Sequence, residues 1–146
     1  MNVEESCLIE AKRADVWDLL MDPAVLQKAI PGCQALEPIN DNQYKATLKM
    51  GIGPVKGTFT GKLTLQDVRK PEEYTMVIEG SGVPGFVNGK GNLLLIDLGN
   101  STEVKVTGEA NVGGTIAQIG SRMVGPAVKT MMAQFFKAIK NQAEDK

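Results

Sequence analysis

Apolar and polar residues alternate with a period of two through most of the chain. The alternation is cleanest from Thr102 to Val112, and residues 43–50 and 55–68 repeat it. This pattern is typical of antiparallel strands that bury one face and expose the other, and turn-forming residues separate the segments. The sequence therefore predicts strands at residues 2–10, 33–39, 43–50, 55–68, 73–82, 89–98 and 102–112.

Two short helices are predicted between the first and second strands. The first opens at Arg13 or Asp15 and stops before Pro23, because the residue before a proline disfavours helical geometry. The second covers Ala24–Ile30 and ends at a Pro-Gly pair. The two helices share one apolar stripe.

A long helix is predicted after the last strand, from Gly114 to about Ala143. Pro126 is expected to kink or interrupt it, because proline lacks the backbone N–H and clashes with the preceding turn. With residues placed about 100° apart, one apolar stripe contains Gly120, Val124, Ala127, Val128, Met131, Phe135, Ala138 and Ile139. Four further apolar residues lie off this stripe and indicate a second buried side or a contact with a partner: Ile119, Met123, Met132 and Phe136.

The order of these elements predicts an α+β fold in which a curved seven-stranded antiparallel sheet wraps around the long C-terminal helix. Glycines inside strands, such as Gly57, Gly61 and Gly91, are expected to add curvature. A chain of 146 residues has the size of one domain, so residues 1–146 are predicted to form a single unit. The space between the curved sheet and the helix is the expected ligand cavity.

Composition excludes several classes of function. The chain has no histidine, which removes Ser-His-Asp and Cys-His catalysis and His-ligated zinc. A net charge of −1 argues against binding nucleic acid through its phosphates. Cys7 and Cys33 are too few for a cysteine-only metal site and are expected to be free thiols. The sequence has neither an apolar run long enough for a membrane span nor a signal peptide, so a cytoplasmic location is expected.

The predicted cavity has an apolar lining with few polar groups. Methionine is flexible and suits an adaptable apolar site, although it also fills ordinary cores. The hydroxyls of Tyr44 and Tyr74 would each need a partner or a ligand if buried, and either of them would orient a polar head. The residues expected to line the cavity are Trp17, Tyr44, Met50, Phe59, Leu63, Tyr74, Met76, Phe86, Val124, Val128, Met131 and Phe135.

Two other features offer chemistry. The run from Gly80 to Gly85 has the glycine spacing of a dinucleotide-binding loop, but strands flank it and Pro84 blocks entry to a helix, so a hairpin is favoured. Glu5 and Glu79 are carboxylates that a buried site would turn into general acids. A solvated edge or a lysine partner is the simpler interpretation of both.

Several segments together resemble one known family. They are residues 16–23 (VWDLLMDP), residues 30–33 (IPGC), residues 53–59 (GPVKGTF), the glycine-rich residues 80–91 and residues 113–122. In this order and spacing they resemble the carbon monoxide dehydrogenase CoxG family, which belongs to the START-like, Bet v 1-like (SRPBCC) superfamily. The resemblance covers nearly the whole chain.

This resemblance implies a helix-grip fold that binds an apolar small molecule, lipid-like or quinone-like, with no covalent cofactor. It also implies an accessory role beside a carbon monoxide dehydrogenase-type molybdenum hydroxylase, and a peripheral contact with the inner membrane face. Many members carry a C-terminal apolar tail, whereas this sequence ends in Glu144-Asp145-Lys146. Stable anchoring in a membrane is therefore not expected.

Three hypotheses of function follow. The first is a non-enzymatic binding protein that holds an apolar ligand between sheet and helix. The second is an enzyme on the same scaffold, a cyclase, hydrolase or isomerase that uses a buried carboxylate; no convergent acid and base pair is identifiable, so it ranks second. The third is an interaction module with a filled core.

Overall fold

Strands and helices account for most of the chain. A computed structural model describes residues 2–52, 55–83, 85–118 and 120–144. The strands are β1 (Asn2–Ile9), β2 (Cys33–Asn40), β3 (Gln43–Ile52), β4 (Val55–Arg69), β5 (Glu73–Gly82), β6 (Gly85–Asp97) and β7 (Thr102–Gly113). The helices are α1 (Arg13–Met21), α2 (Pro23–Ala29), α3 (Thr115–Gln118) and α4 (Ser121–Glu144).

All the strands belong to one curved antiparallel sheet. Their order is β1-β7-β6-β5-β4-β3-β2, so each strand from β2 to β7 pairs with its neighbour in sequence. Strand β1 pairs with β7 at one edge, and α1 and α2 carry the chain from there to β2 at the other edge. The predicted α+β architecture, with two short helices after the first strand and a long C-terminal helix, is confirmed.

Strand β6 begins earlier than predicted, at Gly85 instead of residue 89. Phe86 pairs with Ser81 on one side and with Gly113 on the other. The short run from Gly85 to Gly89 has no clear apolar alternation of its own, and the two neighbouring strands extend β6 into it. Long-range pairing therefore decides this boundary.

The C-terminal helix is interrupted at Gly120, not at Pro126. Gly120 has a φ of +86°, a left-handed conformation that glycine adopts without strain. Its carbonyl accepts hydrogen bonds from the N–H groups of Met123 and Val124, which starts α4. Helix α4 then continues through Pro126, so the predicted interruption there is wrong. Pro126 lies in the second turn of the helix and is exposed, where one missing backbone hydrogen bond is readily replaced by water.

The main hydrophobic core lies between the sheet, α1, α2 and the C-terminal half of α4. Phe136 is only 4% exposed and belongs to this core, so its predicted position away from the buried side is wrong. The helix faces the core with a row that the sequence stripe only partly contained, because spacings of three and four residues place apolar side chains on adjacent rows. The core, which we call the main core, includes Ile9, Val16, Trp17, Leu20, Leu26, Leu63, Tyr74, Leu93, Leu95, Val104, Phe136 and Ile139.

Polar contacts hold the C-terminal end of α4 against β1. The ammonium group of Lys140 donates to the carbonyl of Leu8 at 3.1 Å, and the backbone N–H of Glu10 donates to the carboxylate of Glu144 at 3.0 Å. Lys140 and Glu144 also form an ion pair at 3.5 Å. These contacts fix the end of the helix that lies over the main core.

Candidate ligand-binding cleft

The concave face of the sheet, which packs against the helices, carries large side chains at one end. Tyr74, Leu93 and Val106 lie directly opposite one another on β5, β6 and β7, and all are buried. Trp17 of α1 packs edge-on against Tyr74, with ring centroids 5.5 Å apart and planes at 89°. Aromatic and branched side chains therefore fill this end of the interior, which we call the base.

A second, smaller hydrophobic cluster lies at the opposite end of the same face. Phe59 of β4 and Ile116 of α3 are its buried centre. Leu48, Val87, Val112 and Ala127 pack around them. This group, which we call the far cluster, is separate from the main core. The interior thus has two apolar centres along the length of the sheet.

Small residues form the concave face between these two centres. Gly61 lies opposite Gly80, and Gly89 lies between Ile78 and Ala110 in the register of neighbouring strands. Ile78 is 37% exposed although it shares this face with Leu63, which is 3% exposed. We call the space between α4 and this floor the cleft; its floor residues are Gly61, Ile78, Gly80, Gly89, Gly91 and Ala110.

The floor glycines are of two kinds. A Cβ atom on Gly61 would lie 1.7 Å from the carbonyl oxygen of Glu79, so the close approach of two backbones requires glycine there. A Cβ atom on Gly80, Gly89 or Gly91 would meet nothing closer than 3.5 Å. Backbone sterics do not require these three glycines. Their small size leaves space above the sheet.

The roof of the cleft comes from α4. Ala127, Met131 and Phe135 are spaced one turn apart along the helix. Ala127 packs on the far cluster and Phe135 on the main core. Met131, between them, is half-buried and packs on neither cluster among the described residues. Met131 is therefore the side chain that lies over the middle of the cleft.

The apolar pocket within the cleft has a volume of about 40 Å³. One water needs roughly 10–15 Å³ on the same scale, whereas small-molecule sites usually occupy about 300–1,000 Å³. A ligand of that size therefore requires the cleft to widen. The pocket is lined by Ile30, Leu36, Ala46, Leu48, Phe59, Gly61, Leu63, Ile78 and Gly80, together with Thr60, Lys62 and Glu79.

The residues predicted to line the cavity lie in several places. Val128 and Met131 are half-buried on α4. The side chain of Met50 lies outside the described residues, as does the Gly53-Pro54 turn. The remainder on the concave side are buried in, or packed against, the two hydrophobic centres or the start of α4: Trp17, Tyr44, Phe59, Leu63, Tyr74, Met76, Val124 and Phe135. Their role in contacting a ligand stays a prediction.

Phe86 lies on the opposite face of the sheet from the cleft. It is 44% exposed, and its ring covers Gly113, where a Cβ atom would be 2.0 Å from a ring carbon. The strand alternation sets this position, because Phe86 is in phase with the outward-facing Asn88 and Lys90. Phe86 therefore does not line the cleft.

Sequence reasoning missed the floor itself. Ile78, Gly80, Gly89 and Ala110 were not among the predicted cavity residues. A signal was present, because Gly89 and Gly91 occupy alternate positions of one strand and so share a face. Two small residues in phase mark a low area on a sheet surface, whereas the same glycines considered singly indicate only curvature.

The cleft is poor in groups that could do acid–base or metal chemistry. Burial raises the pKa of the Tyr74 phenol well above its usual range. Burial likewise raises the pKa of both free thiols, Cys7 and Cys33. In the described part of the chain, no three His, Cys, Asp or Glu side chains come together as metal ligands. The described ranges also contain no helix with the length and apolar composition that a bilayer span needs.

The sequence matches the profile of the carbon monoxide dehydrogenase CoxG family over residues 6–144. The chain belongs to this family. Among solved structures, a conserved protein from Geobacillus kaustophilus is 37% identical, with 99% of this chain and 96% of that chain covered and a TM-score of 0.94. Among curated proteins, none matches the sequence.

More distant structures share the fold of this CoxG family member. A START superfamily protein from Mycobacterium smegmatis is 14% identical, with 99% and 97% of the two chains covered and a TM-score of 0.77. The Zhui aromatase/cyclase from a Streptomyces species is 16% identical, with 99% and 93% covered and a TM-score of 0.73. The predicted helix-grip, START-like fold is thereby confirmed.

Proposed function

We propose that the protein binds an apolar, lipid-like or quinone-like small molecule in the cleft and does not change it chemically. The carrying observation is the interruption of the hydrophobic interior between the main core and the far cluster. Protein interiors normally pack at crystal density without such gaps. Here the floor is glycine and alanine, and Ile78 remains 37% exposed on a face that is otherwise buried.

The apolar surface of the ligand would supply most of the affinity. Burial contributes about 25 cal/mol per Å² before the costs of association. The pocket must widen to admit such a ligand, and the N-terminal half of α4 is the element expected to move. Its C-terminal end is tied to β1 through Lys140 and Glu144, whereas its N-terminal end begins directly after the left-handed Gly120.

Native mass spectrometry of gently purified protein tests the proposal. The expected result is an adduct that dissociates as an intact apolar molecule, with no change in its mass after incubation. Purification from several different hosts without any adduct, together with no uptake of added apolar compounds, would favour an interaction module with a filled core.

An enzymatic function would need a carboxylate in the cleft. Of the two carboxylates that the sequence offered, Glu79 is exposed on the outer face of β5. Glu5 is half-buried on β1, opposite Val106 at the base. Neither position supports the buried-carboxylate mechanism, and a binding protein is the better-supported proposal.

We further propose that the protein assists a carbon monoxide dehydrogenase-type molybdenum hydroxylase, in the cytoplasm or at the inner membrane face. Membership of the CoxG family supports this role. Co-purification of a tagged chain with such an oxidoreductase from its own cells is the expected result. Normal assembly and activity of the oxidoreductase in cells lacking this chain would count against the role.

A contact with the membrane surface is proposed at the open end of the cleft instead of on the C-terminal helix. Val83 is fully exposed in the β5–β6 turn, and Met123 is 43% exposed in the first turns of α4. Exposed Lys56 and Arg122 lie at the same end and would favour an anionic surface. Phe136 and Met132, by contrast, pack in the main core.

Substituting Val83→Asp is expected to weaken co-sedimentation with phosphatidylglycerol vesicles about tenfold, because the buried valine area and the added charge both oppose insertion. Val68→Asp is the matched control, since Val68 is 43% exposed at the opposite end of the sheet. Equal loss of vesicle binding in both variants would refute a contact at the open end.

A further inference from the structure

The hydroxyl of Tyr74 is a buried polar group without a partner. Tyr74 is 0% exposed, and its hydroxyl is the one buried side-chain polar atom in the described residues that makes no hydrogen bond. A buried hydroxyl without a partner is destabilising, and native structures usually provide one. A phenylalanine at this position would keep the packing against Trp17 and avoid the cost. The retained hydroxyl therefore calls for a reason other than packing.

Tyr74 stands at the base end of the cleft. Met76 follows it on the same face of β5, and the next residue on that face is Ile78 of the cleft floor. Met76 pairs with Gly91, also in the floor, and is only partly buried. Methionine has three rotatable bonds and adapts its shape readily. A movement of Met76 would open the way from the cleft to the Tyr74 hydroxyl.

Resting on the proposed apolar ligand, we propose that the Tyr74 hydroxyl donates a hydrogen bond to a neutral carbonyl-type oxygen of that ligand. The phenol stays protonated at physiological pH, since burial disfavours its anion. The floor and roof of the cleft present no charged side chain, so a carboxylate or phosphate head would be buried unpaired, which is costly. An acceptor without charge satisfies the hydroxyl and avoids that cost.

Fluorenone and fluorene form a matched pair of probes, because they share one planar ring system and differ by a single carbonyl. Neither alkylates the free thiols of Cys7 and Cys33, as a quinone would. Calorimetric titration of the parent and of Tyr74→Phe is expected to show fluorenone weakened about tenfold and fluorene unchanged. The carbonyl stretching frequency of bound fluorenone should be lowered in the parent and rise in the variant, which a purely structural role would not produce.

The stability of the ligand-free variant gives an independent readout. Tyr74→Phe should melt about 2–4 °C higher than the parent, because the unpaired hydroxyl is gone. Tyr44→Phe is the control, since Tyr44 lies on the same face and its hydroxyl is not among the unpartnered atoms. It should leave both affinities unchanged.

Three outcomes would overturn the inference. Equal binding of fluorenone by the parent and Tyr74→Phe would show that Tyr74 is not the donor, while binding of fluorene would leave the proposed function standing. A lower melting temperature for Tyr74→Phe would show that the hydroxyl already has a partner. Failure of the parent to bind either probe would refute the proposed apolar site, and this inference with it.

Discussion

Replacing Met131 by tryptophan is expected to abolish the binding of fluorene and to leave the fold intact. Met131 lies between Ala127, which packs on the far cluster, and Phe135, which packs on the main core. The indole ring would occupy the cleft and exclude the ligand. Calorimetric titration and a thermal melt of the same preparation give the two measurements.

Lys129→Trp is the matched control for bulk, because Lys129 is exposed on the same helix. It should bind fluorene like the parent. If the interior around Met131 were packed at crystal density, the tryptophan would cost about 1–3 kcal/mol of stability. A Met131→Trp variant that melts well below the parent, with no fluorene binding in either protein, would show that the cleft is not a ligand site.

Alanine substitutions at two floor glycines are expected to have opposite effects on stability. Gly61→Ala should lower the free energy of unfolding by about 3 kcal/mol or more, because the new Cβ atom would lie 1.7 Å from the Glu79 carbonyl oxygen. Gly89→Ala should raise it by roughly 0.5–1 kcal/mol, since alanine loses less conformational entropy in a strand and meets only an ordinary contact at 3.7 Å. Denaturant titration of both variants measures the difference.

The larger substitution Gly89→Val connects this comparison to function. Valine favours strands, and its methyl groups would rise into the cleft. The variant should therefore be at least as stable as the parent and bind fluorene more weakly. Destabilisation by Gly89→Val similar to that of Gly61→Ala would indicate that the space above Gly89 is already filled.

Most of the fold was predictable because strand alternation is a local signal. The strand from Thr102 to Gly113 has small or apolar residues at every second position, and its observed bounds differ from the predicted ones by one residue. The break at Gly120 was not predictable in the same way. Proline at 126 is the stronger helix breaker in general, but its place near the start of α4 makes it tolerable, and only the left-handed φ of Gly120 reveals where the chain turns.

The candidate site was predictable only in part. Buried residues such as Leu63 and Tyr74 follow from their phase in the strands, but the phase does not tell whether a helix covers them. Ile78 shows the difference, because it has the same phase as Tyr74 and remains 37% exposed. The size of the gap depends on where α4 touches the sheet, which the sequence of either element alone does not contain.

The pairing of β1 with β7 has a consequence for how the protein is made. Asn2 pairs with Glu109, so the first strand to leave the ribosome must wait for the last strand before its hydrogen bonds can form. Strands β2 to β7, by contrast, are joined by local hairpins that can form in order during synthesis. Until β7 arrives, the apolar side of β1, including Ile9, has no sheet to bury it, and a nascent chain in this state offers an unpaired edge to chaperones or to other chains. Closure of the sheet is therefore expected to be a late, post-translational step.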